Sequence, residues 1–114
     1  MTDCLFCKIV ASDIPSDIVL DRETVIAFRD IAPAAPVHVL VVPKEHVEDV
    51  RAVQPAHGSL LVDMVRAAAD VAENEGIAAS GYRLIFNVGR DAGQTVFHLH
   101  MHVVGGKPLG GVAH

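Results

Sequence analysis

The chain has 114 residues, enough for one compact domain and too few for two. Apolar residues make up 51% of it, led by 18 Val and 15 Ala, with four Phe, one Tyr and no Trp, so the core is built from small and branched side chains. This excludes collagen, coiled coil and disorder, and a net charge of −5 with no basic run excludes a duplex-binding protein that neutralises many phosphates.

No apolar stretch approaches the ~20 residues a membrane span needs, and residues 1–8 lack the basic-then-apolar pattern of a signal peptide. A single cytoplasmic domain over 1–114 is expected, with Cys4 and Cys7 as reduced thiols. Leu5, Phe6, Ile9 and Val10 recur at helical spacing and predict a short helix over 4–11, stopped at Ile14-Pro15, because the residue before proline is pushed out of the α region. Residues 18–21 and 25–29 are apolar runs joined by Asp21-Arg22-Glu23-Thr24, which suits a tight turn between antiparallel strands. After the loop Pro33-Ala34-Ala35-Pro36, residues 38–42 are almost continuously apolar, as in a strand covered on both faces and ended by Pro43. From 59 to 75 a stripe of Leu61, Met64, Val65, Ala68, Val71 and Ala72 marks an amphipathic helix, with Gly76 at its C′ position. Residues 82–88 and 96–104 read as two further strands around the loop 89–95, and the Gly-rich tail 105–111 is expected to cross the surface. The order of elements favours α+β with a mainly antiparallel sheet over a parallel βαβ repeat.

Histidine is the odd item: there are seven, three of them at His98, His100 and His102. In a strand, strict alternation over 97–104 would project the three imidazoles from one face and Phe97, Leu99, Met101 and Val103 from the other. A row of titratable rings is costly unless partners satisfy it, and a solvated face would more cheaply use Lys, Thr or Glu, so a functional site is favoured over a plain polar face. Two chemistries stay open. Imidazoles can clamp a metal, or one of them can attack phosphorus while its second nitrogen is held by a hydrogen bond. The preceding loop supplies what the second needs: Gly89 and Gly93 let the backbone approach a ligand, and Gln94 and Thr95 add an amide and a hydroxyl.

Cys4-x-x-Cys7 is open to three readings, a redox pair, two buried thiols or half of a zinc site. A redox motif is expected near a strand in a βαβ pattern, and none precedes it. Zinc needs four ligands, and with no other cysteine two histidines must complete the set. His57 and His114 are expected in solvent.

The run His98-Leu99-His100-Met101-His102-Val103-Val104 resembles the signature of the histidine triad (HIT) family. Ala27-Phe28-Arg29-Asp30-Ile31, the segment from Pro36 to His46, and Gly93-Gln94-Thr95-Val96-Phe97 resemble that family's central regions in the same order. Gly105-Gly106-Lys107-Pro108-Leu109-Gly110 looks like the Hint branch, whose members hydrolyse purine nucleoside phosphoramidates, and the N-terminal Cys-x-x-Cys is similar to that of bacterial members. The resemblance implies a HIT-like fold, with a five-stranded mainly antiparallel sheet, a short N-terminal helix and one longer central helix, and a homodimer. It implies cleavage of AMP or GMP phosphoramidates, of the adenosine 5′-phosphoramidate or AMP-lysine type, through a nucleotidyl-histidine. His100 would be the nucleophile, His102 would assist at the phosphate, and His38 would fix the tautomer of the nucleophile or its neighbour. Asn87, Gly93, Gln94 and Thr95 would meet the phosphate or leaving group, and Asp30 the ribose hydroxyls. Phe28 and Ile31 would flank the base, although apolar strand residues are equally read as core, and Asn87 equally as a strand-end turn former. Structural zinc would be held by Cys4, Cys7, His46 and His98, with no organic cofactor. Because His102 stands where the nucleotidyltransferase branch carries Gln, water is the expected acceptor. The alternatives are a dinucleoside polyphosphate hydrolase, a nucleotide-binding adaptor or sensor, and a zinc hydrolase that uses the triad as ligands.

Overall fold

Near-continuous apolarity puts one strand, β3 (Val37–Pro43), at the centre of the sheet, with its last five residues buried. In the computed structural model, which describes residues 4–111, it is joined by β1 (Ile18–Asp21), β2 (Val25–Arg29), β4 (Tyr82–Ile85) and β5 (Met101–Gly105). The five strands pair antiparallel in the order β1-β2-β3-β5-β4. Two helices, α1 (Leu5–Val10) and α2 (Gly58–Asn74), complete the α+β architecture expected from the pattern. None of the described helices is long and apolar enough to cross a membrane.

The period-2 alternation of the strands gives the sheet two distinct faces. One, formed by Val25, Ala27, Val39, Val41, Met101 and Val103, packs against Leu60, Met64, Ala67, Ala68, Val71 and Ala72 of α2. Burying a side chain such as Met64 contributes about 1.5–3 kcal/mol. The other face carries Ile26, Phe28, Leu40 and Val42 under Phe6 and Ile9 of α1. α1 covers only part of that face. The part left open lies on β5 and β4.

The predicted helices hold to within a residue. Cys4 caps α1, its Sγ accepting the Cys7 N–H at 3.3 Å. α2 ends at Asn74 with Glu75 as its C-cap, and Gly76 follows in the left-handed region at φ +78°, as the C′ position requires.

The strand expected over 96–104 begins only at Met101. In the β3–β5 register Val41 faces Met101, so Pro43 would face Leu99. Proline has no N–H to give the ladder, and pairing stops there. The Leu99 N–H instead donates to Val47 O at 2.6 Å. β4 stops at Ile85 rather than running to 88, because its partner β5 supplies no residue beyond Met101 and His102 already faces Ile85. The alternation rule therefore applies to His102 alone of the three histidines, and the expectation that all three share a strand face is corrected.

Candidate active site

With 96–100 released from the sheet, each histidine is oriented by its own hydrogen bonds. His98 is fully buried, and its Nε2–H donates to Pro43 O at 2.8 Å. A carbonyl can only accept, so Nδ1 of His98 is the nitrogen with the lone pair. His100 Nδ1–H donates to the carbonyl of His98 at 2.8 Å, which by the same reasoning leaves its Nε2 bare. His38 has the opposite arrangement. Its Nδ1 accepts the Ala34 N–H at 3.0 Å, so its Nε2 carries the proton and donates to His102 Nδ1 at 2.8 Å. Nε2 of His102 then carries the proton and stands 3.5 Å from Nδ2 of Asn87, itself a donor, so its N–H is left for a ligand. The His100 and His102 rings lie with centroids 5.1 Å apart, one offering a lone pair and the other an N–H.

Both rings line a cavity of about 450 Å³ over the sheet face that α1 partly covers. Phe28 and Leu40 belong to its sheet lining, and Asp30, Ile31, Asn87, Gly93 and Thr95 also border it. Ile31 is fully exposed and Phe28 almost fully buried, so Ile31 is a rim residue while Phe28 serves core and cavity together. Asp30 Oδ1 accepts the Ala32 N–H at 2.8 Å, and Oδ2 stands 3.5 Å from His38 Nε2.

Gln94 does not border the cavity. Its Oε1 accepts the Gly89 N–H at 2.8 Å, and its Nε2 donates to the carbonyls of Val96 and Glu48 at 3.2 and 3.3 Å. The side chain is thus a brace for a loop whose ends, Gly89 and Gly93, take φ of +82° and +87°.

Sequence reasoning missed the wall contributed by α1 and the segment after it: Leu5, Phe6, Ile9, Ile14 and Pro15. The helical spacing of the first three was legible but pointed equally to core. Phe6 meets His100 edge-on, centroids 5.0 Å apart. His57 is also corrected: it is half-buried, accepting the Gln54 N–H at 2.8 Å and lying 3.3 Å from Glu45. His114 lies outside the described residues.

A second cluster sits behind the cavity. Cys4 Sγ is 3.3 Å and Cys7 Sγ 3.5 Å from Nδ1 of His98, Cys7 Sγ is 3.4 Å from Nδ1 of His46, and the two Nδ1 atoms are 3.1 Å apart. Four such donors around one tetrahedral first-row metal ion at thiolate and imidazole bond lengths would stand about 3.5 Å (S to N) and about 3.3 Å (N to N) apart. The donors fit a metal ion, and both cysteines are free. Among the described residues no donor group unites His98, His100 and His102, which removes the support for a triad acting as one set of metal ligands.

The HIT domain family model matches residues 11–109. The chain belongs to the HIT domain family. It is a hydrolase of that family, 49% identical over 108 residues to the purine nucleoside phosphoramidase of Escherichia coli K12, a match covering 95% of this chain and 91% of the relative. Among solved structures, a HIT family hydrolase from Clostridium thermocellum superposes with a TM-score of 0.95 at 51% identity, covering 98% and 97% of the two chains. A histidine triad protein from Clostridium difficile gives 0.95 at 37% identity, over 99% and 98%.

In this HIT domain burial governs the charge of the rings. Desolvation holds His98 and His100 below the ordinary histidine range, and for His100 it outweighs the bond to the His98 carbonyl and the pull of Asp30. His102 is pushed down to about 4, first by burial and then by its neighbours His100 and His38. Burial, followed by the hydrogen bond and charge of Cys4, pushes the Cys7 thiol up to about 11 in the absence of a cation.

The unfolded chain protonates His102 near its ordinary 6.5, whereas the folded one resists until about 4. Stability is therefore complete above pH 6.5 and is lost as pH falls towards 4, by on the order of 2–3 kcal/mol for this ring. Urea unfolding at pH 7 and pH 4.5 should show that loss reduced in His102→Asn. Equal acid sensitivity of the two proteins would refute it.

Proposed function

We propose that this HIT domain hydrolyses purine nucleoside 5′-phosphoramidates, derivatives of AMP and GMP, through a nucleotidyl intermediate on His100. The observation that carries the reading is the complementary pair of rings, a bare Nε2 on His100 beside an N–H on His102, at the cavity that Asp30 and Phe28 border. The name of the Escherichia coli relative supports the same chemistry.

In the first step Nε2 of His100 attacks the α-phosphorus, and the P–N bond breaks with its electron pair leaving on the amine nitrogen. The Nε2–H of His102 hydrogen-bonds the phosphoryl group, and the departing nitrogen takes its proton from solvent as it leaves as the amine. In the second step water attacks phosphorus, the bond to His100 breaks, and the water proton is released to solvent. His38 acts by fixing His102 in the tautomer whose Nε2 faces the reacting group. Asn87 and the Thr95 hydroxyl meet the phosphoryl oxygens, and Gly93 lets them come close. Asp30 takes the ribose hydroxyls, and Phe28 and Ile31 flank the base. To Gln94 we assign the bracing of the loop rather than a phosphate contact. The scheme needs no organic cofactor. Incubation with adenosine 5′-phosphoramidate should release AMP, and His100→Ala should lower kcat by at least about 10³-fold. Turnover within tenfold of wild type would exclude the nucleophile.

Zinc is the metal we assign to Cys4, Cys7, His46 and His98, from the mixed thiol and imidazole donors and their spacing. Bound there, it would supply a cross-link between α1 and the segment that carries His98. The carbonyl of His98 holds the nucleophile and Phe6 of α1 packs on it, so these residues make the cross-link a support for His100. Purified protein should contain about one zinc per chain, and His46→Ala should lose it and lower Tm by at least about 4 °C. Metal-free protein with an unchanged Tm would contradict the assignment.

A homodimer is supported by the edge strand β4, which among the described residues pairs only with β5 and exposes Leu84. Light scattering should give twice the chain mass, and Leu84→Arg should halve it. A wild-type monomer would rule the assembly out. Free thiols at Cys4 and Cys7 fit a reducing compartment, the cytoplasm.

A further inference from the structure

The loop over 89–95 reaches the cavity through Gly93 and Thr95, yet only two of its residues, Gly89 and Gln94, are buried. These two close the loop on itself: the Gln94 N–H donates to Gly89 O at 3.1 Å, and the Gly89 N–H donates to Gln94 Oε1 at 2.8 Å. A loop closed in this way still needs an anchor on the body of the protein. The segment 47–51 supplies it, running beside the stretch of chain that the sheet releases. Val47 O accepts the Leu99 N–H, Glu48 O accepts from the Gln94 side-chain amide at 3.3 Å, and the guanidinium of Arg51 lies against Gly89. Nη1, Nη2 and Cζ of Arg51 stand 3.5, 3.6 and 3.7 Å from the point a β-carbon on Gly89 would occupy, so the flat face of the group meets the glycine.

Asp49 holds Arg51 in that pose. Its carboxylate is buried, with Oδ1 accepting the Arg51 backbone N–H at 2.9 Å and Oδ2 accepting from Nε and Nη2 at 3.2 and 2.6 Å. The edge of the guanidinium is thus gripped by the acid while its face is left for Gly89. We propose that Arg51, gripped by Asp49, is a positioning residue for the phosphate end of the site: it holds the loop on segment 47–51 and so places Gly93 and Thr95 where the phosphoryl oxygens arrive. The inference rests on the reading above in which those two residues meet the phosphate. Donors held in place before the ligand binds cost no reorganisation when it does. Base and ribose are met from β2 and the residues after it, by Phe28, Asp30 and Ile31, so release of the brace is felt at the phosphate.

A cation near the site also attracts phosphate at a distance, and one variant separates the two roles. Asp49→Asn removes a negative charge, which by charge alone tightens phosphate binding, whereas release of the guanidinium weakens it. The test is calorimetric Kd values for AMP and for adenosine on the intact protein, their ratio reporting what the phosphate adds. Wild type should prefer AMP. Arg51→Ala and Asp49→Asn should each lower that preference by about fivefold, the worth of one modest contact, with adenosine affinity within about twofold of wild type. Arg51→Lys should behave like Arg51→Ala, because an ammonium has neither the flat face nor the fork. The ratio is taken within each protein, so any loss of folded fraction divides out. A preference unchanged in Arg51→Ala, restored in Arg51→Lys or raised in Asp49→Asn overturns the brace, as does an equal loss for AMP and adenosine. A wild-type protein without the preference overturns the placing of the phosphate on which the inference rests.

Discussion

The bond from His98 Nε2–H to the carbonyl of Pro43 organises the rest of the site. Pro43 offers the sheet an acceptor but no donor, so the ladder between β3 and β5 ends there and the acceptor is taken by a side chain. That one bond selects the tautomer of His98, and its Nδ1 lone pair faces Cys4, Cys7 and His46. It also holds the backbone of His98 where its own carbonyl orients His100. A residue that never meets the cavity thereby sets the state of one that lines it.

Two backbone-anchored chains meet at the cavity that His100 and His102 line. One runs from Pro43 through His98 to His100 and leaves a bare nitrogen; the other runs from the Ala34 N–H through His38 to His102 and leaves a donor. In water neither ring would hold one tautomer, and both would be partly protonated near pH 6.5. Burial removes the cationic forms, and the anchors choose between the neutral ones. The bare Nε2 of His100 thus results from desolvation and orientation, with no carboxylate hydrogen-bonded to the ring.

The cavity follows from the coverage of one sheet face. α1 is only six residues long and roofs β2 and β3, which leaves β5 and β4 open beyond His102. A longer helix would close that space.

Much of the fold was legible in the sequence. Helical spacing located α1 and α2 to within a residue, β1 and β2 lie where their apolar runs predicted, and the C′ glycine at Gly76 is as expected. Alternation through 96–104 failed for a non-local reason: whether a strand continues depends on what its partner can donate, and that partner is Pro43, more than fifty positions away in the chain. The candidate site divides the same way. The histidine spacing and the Cys-x-x-Cys pair marked the residues capable of chemistry, because residue type alone decides what can ligate or attack. Their division into two clusters, the loop-bracing role of Gln94, the α1 wall of the cavity and the packing of Arg51 on Gly89 were decided only by tertiary structure. Tautomer, desolvation and line of attack are properties of groups brought together from distant parts of the chain, and no local pattern carries them.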